Sequence, residues 1–324
     1  MQYIGLTTQK VRNNFRSVLL LCLFPCLVIL LTFLFSFLLV FVLAEEGVEL
    51  NIREETVLYV KNLAPYLLGG VAVWFVIAYF ANTAIIRSAT GARPLERKEN
   101  KRVYNLVENL CISKGMSMPK INLIEDDSLN AYACGIDKRT YTVALSRGII
   151  NKLNDDELEA VIAHELSHIR NNDVRLLIVS IVFVGIFAML SQIAFNILRY
   201  APSRSRSSNK GGGGIIVIIL IALAVAAIGY FFSSLMRFAI SRNREYMADA
   251  GSAEMTRRPY ALASALRKIS HDPDIEAVKR SDVAQLFIEH PHTQEKNSNL
   301  FSGISGLFAT HPPIEKRIAI LEQF

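Results

Sequence analysis

Two histidines four residues apart, His164 and His168, flank Glu165 in the run His-Glu-Leu-Ser-His. On a helix, residues four apart lie on one face, one above the other. Both imidazoles can then hold one zinc ion from the same side. Glu165, their neighbour on the turn, points into the same cleft as a base for an attacking water. Such a run need not be helical, but its flanks here favour a helix. Asn154 followed by Glu157 is a capping-box start. Asp155, Asp156 and Glu157 put negative charge at the positive end of the helix dipole. Leu158, Val161, Ile162 and Ile169 recur at helical spacing, and no Pro or Gly interrupts Asn154 to Asp173.

A catalytic zinc takes three protein ligands and keeps its fourth position for water. The third is expected from Glu245-Tyr246-Met247-Ala248-Asp249, where two acids stand four apart on a second helical stretch. Glu245 is read as the ligand. Asp249 is read as accepting a hydrogen bond from the far nitrogen of a ligand histidine, fixing its tautomer. A plainer reading makes Glu245 a solvated acid and Asp249 the partner of a nearby arginine.

The elements that must position these residues are partly apolar. The chain has 324 residues and is 52% hydrophobic, with the excess clustered. Four runs carry no charge: Ser17 to Ala44, Asn62 to Ile86, Leu176 to Leu198 and Gly211 to Met236. Each reaches the roughly 20 residues that cross a bilayer as a helix. One such run fits a buried core helix, but four point to an integral membrane protein. The first run is about twice the length of a signal-peptide apolar region.

Net charge is +6, and its distribution suits membrane flanks rather than nucleic acid. Lys10, Arg12 and Arg16 precede the first run. The loop Glu45 to Lys61 holds five acids against two bases. Arg87, Arg93, Arg97, Lys98, Lys101 and Arg102 follow the second run. The N-terminus and Arg87 to Asp173 are therefore expected on the cytoplasmic side. The loop Arg199 to Gly214 has four bases and no acid, against that trend if the third and fourth runs both cross. Those two runs either span or form a hairpin that does not fully cross. Gly69 and Gly70, in the second run, suit either close helix packing or simple tolerance in a membrane helix.

The expected organisation is an N-terminal tail with two spans (1–86), the first part of a catalytic domain (87–173), an apolar helical hairpin (174–236) and the second part of that domain (237–324). Within it, Glu99 to Gly115 reads as a helix stopped by Gly115. Lys120 to Ile124, Ala131 to Ile136 and Thr140 to Leu145 read as strands, the last two joined at Asp137-Lys138-Arg139. Asn130, Ala131, Tyr132 and Ala133 sit where an edge strand would run beside the cleft, and proteases bind peptides by adding them to such an edge. An ordinary strand is the alternative. Helices are expected at Tyr260 to Ile269, after Pro259, and at Ile314 to Leu321. The four cysteines have neither zinc-finger nor disulfide spacing.

The motifs HELSH, EYMAD after two apolar runs, and THPPIEKRI, with NAYACG and VALSRGII ahead of them, resemble the HtpX-type membrane zinc metallopeptidases, relatives of the CAAX prenyl endopeptidase. The resemblance covers essentially the whole chain. It implies a mainly α membrane protein with an α+β gluzincin-type catalytic domain, a small sheet beside the HExxH helix, and one Zn2+ per chain. It also implies a zinc endopeptidase facing the cytoplasm from a bacterial inner membrane, acting in stress-linked quality control of membrane proteins. It strengthens Glu245, Asp249 and the edge at Asn130 to Gly135. Cys134 departs from it, standing where a small or hydroxyl residue is expected. The oxyanion of peptide hydrolysis needs a donor besides zinc. His311 is the candidate, against a capping or core role, with Arg317 as the reserve. Expected partners are protein substrates and the bilayer. A CAAX-type endopeptidase and a non-catalytic zinc-binding scaffold are the alternatives. Four spans argue against the first, and an intact Glu165 against the second.

Overall fold

The computed structural model describes residues 6–45, 51–200, 212–238, 243–270, 287–288 and 312–324. These fall into two compact units. One comprises 1–17, 79–178 and 238–324, and the other 18–78 and 179–237.

The second unit is helical. It contains most of α1 (Leu6–Glu45), α2 (Ile52–Thr90), α6 (Asp173–Tyr200) and α7 (Gly212–Phe238). Its core is Phe24, Leu27, Val28, Leu31, Val179, Ile186 and Phe187, with Trp74 and Phe75 packed against it. Around that core the apolar surface faces outward: only 22% of the span in α1 and 6% of that in α2 is buried. Apolar helices exposed on this scale belong in lipid rather than in a soluble core. No atom lies within 4 Å of a Cβ added at Gly69 or Gly70, so neither marks a close helix contact.

Among the described residues two segments, Leu21–Val42 and Ile52–Thr90, are long and apolar enough to cross a bilayer, rather than the four expected. In the third run, Leu176, Leu177 and Ile178 are core residues of the first unit. The fourth run lies in α7, whose described apolar stretch is Ile218–Phe231.

The first unit holds a four-stranded mixed sheet in the order β1-β2-β4-β3. β2 (Lys120–Ile124) pairs parallel with β4 (Thr142–Ser146), β3 (Ala131–Cys134) pairs antiparallel with β4, and the two-residue β1 (Arg93–Pro94) adds antiparallel to β2. The β3–β4 turn forms where the sequence places it. The Asp137 carboxylate accepts from the Arg139 and Thr140 backbone N–H groups and from the Thr140 hydroxyl. β1 and the parallel pairing are absent from the sequence expectation.

The helices of this unit follow their local signals. α3 (Lys101–Lys114) is capped by Asn100 and stopped by Gly115 at φ 62°. After α4 (Arg147–Lys152), α5 (Asp155–Arg170) starts on the expected capping box. Asn154 Oδ1 accepts from Glu157 N at 2.9 Å, and Glu157 Oε2 accepts from Asn154 N at 3.0 Å. α9 (Pro259–Ile269) begins on its proline, and α10 is Ile314–Leu321.

α8 (Asn243–Thr256) lies flush against α5. Ser252 Oγ donates to the Ala160 carbonyl at 2.6 Å. A Cβ at Gly251 would stand 2.4 Å from Ser167 Oγ, so only glycine allows this approach. Glu245, Ala248, Asp249 and Ser252 therefore present one helical face to α5.

Candidate metal centre

That close packing brings Glu245 to the two histidines. The Nε2 atoms of His164 and His168 are 3.2 Å apart. Glu245 Oε2 stands 3.6 Å from the first and 3.7 Å from the second. A point equidistant from these three atoms is about 2.0 Å from each, the length of a zinc–ligand bond. Two neutral imidazoles and a carboxylate are also the donor set of a catalytic zinc site. The three residues fit a metal ion by chemistry and by spacing.

Each histidine is oriented from behind. Asp249 Oδ1 lies 3.0 Å from His164 Nδ1, and Asp173 Oδ2 lies 3.1 Å from His168 Nδ1. A carboxylate on Nδ1 leaves Nε2 free as the ligand atom. Asp249 is held in turn by Arg317, whose Nε and Nη2 donate to its two oxygens at 2.9 and 2.7 Å.

Arg317, the reserve donor, also reaches this centre, its Nη2 3.5 Å from His164 Nε2 and its Nη1 4.0 Å from Glu245 Oε2. It is fully buried, bidentate on Asp249, and its Nη1 donates to the Ile288 carbonyl at 3.1 Å. Bidentate geometry of this kind positions a carboxylate firmly. His311 lies outside the described residues.

The electrostatics favour positive charge at this point. Burial alone would lower the pKa of His168, but the carboxylates of Glu245 and Asp173 outweigh it and raise it to about 10. Burial likewise opposes protonation of His164, and its hydrogen bonds to the carboxylates of Asp249 and Glu245 overcome it. The same field attracts a divalent cation. Asp249 is kept below the usual carboxylate range because Arg317 outweighs its burial. Burial pushes Glu165 up, against the pull of His164 and His168. Glu165 Oε2 is buried without a hydrogen-bond partner among the described residues. A general base needs this environment: a raised proton affinity and an unengaged oxygen.

The cleft opens on the His168 side, where that side chain is 13% exposed against 0% for His164. A cavity of about 20 Å³ there, enough for about one water, is lined by Glu165, His168, Glu245, Ala133, Asp173 and Arg244.

The edge strand is only partly available. β3 is at the sheet edge, as expected, but Asn130 bonds inward to Ser146. Tyr132 pairs on the same inner side, with Ala144. The Ala131 carbonyl accepts from Ile288 N at 2.9 Å, and Phe287 bridges to Tyr132 with the two rings 5.0 Å apart. Among the four candidates, Ala133 lines the cleft. Cys134 is buried, its thiol pushed up to about 12 by burial, and so is no nucleophile.

Four contributors carry no clear signal in the sequence. Asp173 follows an Asn-Asn break in which Asn172 takes φ 59°, turning the chain so that α6 starts with its carboxylate at His168. An acid five residues past the second histidine was the available signal. Arg244 follows the fourth apolar run and carries no motif of its own. It is 5% exposed, with its Nε unpartnered among the described residues. Phe287 and Ile288 carry no local signal, because a two-residue pairing leaves no periodicity.

The family model for peptidase family M48 matches residues 97–324. A protein named Protease HtpX homolog from Bacteroides fragilis is 68% identical over the full length of both chains. One of the same name from Dictyoglomus turgidum is 40% identical, covering 77% of this chain and 80% of that one. Another from Listeria monocytogenes is 39% identical, covering 78% and 83%. The crystal structure of S. mikatae Ste24p aligns with a TM-score of 0.43 at 20% identity, over 89% of this chain and 61% of that one. With the HExxH helix and a His-His-Glu group in place, the chain belongs to peptidase family M48 and is a membrane metalloprotease.

Proposed function

We propose that this chain is a zinc endopeptidase that cleaves misfolded or damaged membrane proteins at the cytoplasmic face of a bacterial inner membrane. The observation that carries it is the triangle His164, His168 and Glu245 beside an unengaged, buried Glu165. Zinc held by those three residues would polarise the scissile carbonyl and lower the pKa of water. Glu165 takes the proton from the attacking water and returns it to the leaving amine. Asp249 and Asp173 hold the two imidazoles by Nδ1, with Nε2 toward the metal position, and Arg317 holds Asp249 in place. Ala133 offers its edge to the substrate backbone, with Ala131 and Tyr132 behind it. His311 is retained as the oxyanion donor with Arg317 in reserve, and Arg244 joins the reserve, because its buried Nε at the cleft lacks a partner among the described residues.

The catalytic domain is assembled from 87–173 and 237–324 across the apolar pair 174–236. Both members of that pair enter the bilayer, giving a multi-pass protein. Basic residues following the second span support a cytoplasmic site. A cleft tied to membrane helices meets substrates that are themselves in the membrane, which supports a quality-control role.

The test is cleavage in proteoliposomes of a destabilised membrane protein and of its folded parent. The expected result is cleavage of the destabilised form only, blocked by chelator and restored by zinc. Equal cleavage of both forms contradicts the quality-control reading, and cleavage that survives chelation contradicts the zinc mechanism.

A further inference from the structure

A cavity of about 360 Å³ in the catalytic unit takes no part in the chemistry above. It lies between the C-terminal end of α2 and β2, with Thr83, Arg87, Pro94, Lys120 and Asn122 in its wall and no aspartate or glutamate. Its size falls in the range of small-molecule sites, roughly 300–1,000 Å³. Four basic residues of the neighbouring stretch are matched: Arg93 pairs with Glu99 and Glu125, Arg97 with Glu108, Lys98 with Glu96, and Arg102 with Asp155. Arg87 and Lys120 have no carboxylate within 4.0 Å among the described residues. Asn122 is 9% exposed, and its side-chain amide makes no hydrogen bond there. Two unmatched cations and an amide without a hydrogen bond among the described residues, all lining one cavity, suit an anion rich in acceptor oxygens.

We propose that this cavity binds the phosphate of an anionic phospholipid headgroup, with Arg87 and Lys120 matching its charge and Asn122 bonding its oxygens. Position selects this source over free phosphate. The uncharged run in α2 ends at Ile86, so Arg87 is the first cation beyond the apolar stretch, the position at which a spanning helix meets the headgroups. Thr83 and Arg87, four apart, put the cavity on one face of that helix end. Anionic headgroups concentrate at the cytoplasmic surface and are drawn to basic residues there. The inference rests on the reading of α2 as a span whose C-terminal end is cytoplasmic.

The experiment first asks whether the full-length chain resists carbonate extraction from membranes. It then titrates phosphatidylglycerol into phosphatidylcholine nanodiscs holding that chain and counts retained lipid by native mass spectrometry. Wild type is expected to retain phosphatidylglycerol selectively, undisturbed by millimolar inorganic phosphate. The Arg87→Gln/Lys120→Gln variant should need about fivefold more for each charge removed, ~25-fold for the pair. Arg87→Lys/Lys120→Arg should restore retention, and Lys101→Gln, an unmatched cation outside the cavity, should leave it unchanged. A chain washed off by carbonate overturns the membrane reading and this proposal together. An embedded chain whose double variant retains as much phosphatidylglycerol as wild type overturns the proposal alone. Displacement by inorganic phosphate overturns the lipid assignment.

Discussion

The cleft around His164 and the cavity beside Arg87 lie in the same compact unit and carry opposite charge. In the cleft, Glu165, Glu245, Asp249 and Asp173 surround two imidazoles, and Arg317 is engaged with Asp249. In the cavity, two cations stand without a carboxylate. The difference also shows in how each is held. The cleft's polar groups are buried and aligned by a layer of partners, so its geometry is set before any ligand arrives. The cavity's cations are exposed, and their geometry is left for the ligand to complete. A preorganised site responds steeply to the loss of one atom, and an exposed one in proportion to charge.

The strongest test of that contrast removes a ligand atom. Glu245→Ala should abolish stoichiometric zinc, measured by elemental analysis of the detergent-solubilised chain. Unchanged metal content would remove Glu245 from the ligand set. Next come the carboxylates behind the histidines. Asp173→Asn and Asp249→Asn should each weaken zinc binding about 10–100-fold, read by competition with a chromophoric chelator. If Asp173→Asn is silent, His168 is not oriented by the contact seen here.

The smallest effect lies at the start of α5. Asn154→Ala should cost about 1 kcal/mol of stability, visible as a lowered melting temperature. Glu157 shares that cap. Burial raises its pKa, but the hydrogen bonds from Lys268, Asn154 and Ser264 prevail and hold it below the ordinary value. A depressed folded pKa stabilises above the unfolded value and is lost as pH falls through the folded one. Glu157→Gln should therefore destabilise most at neutral pH, and the gap from wild type should close below about pH 4.5. A gap that persists at pH 3 would assign the effect to packing rather than to charge.

The parts legible in the sequence are those whose signals are local. The capping box of α5, the stop at Gly115, the proline start of α9 and the Asp137 turn each depend on residues within five positions of one another, and each appears where it was read. Glu245 was legible because its partner acid, four residues on, marked a helix face. Contacts between distant segments were not legible. The parallel pairing of β2 with β4 joins residues 22 positions apart, and Ile288 reaches Ala131 across 157. Arg317 is 68 residues from Asp249, so its engagement there could not be seen from its place in the last helix. Hydropathy judges each apolar run alone. It could not show that Leu176 to Ile178 belong to the catalytic core rather than to lipid.

The central claim is that Glu165 acts as a base in a site whose metal is held by other residues. Glu165→Gln keeps the shape and removes the proton acceptor. Zinc content and peptide hydrolysis should be measured on one preparation of the full-length variant. The account predicts about one zinc per chain and activity down by roughly 100-fold or more. Wild-type activity with zinc bound would contradict it.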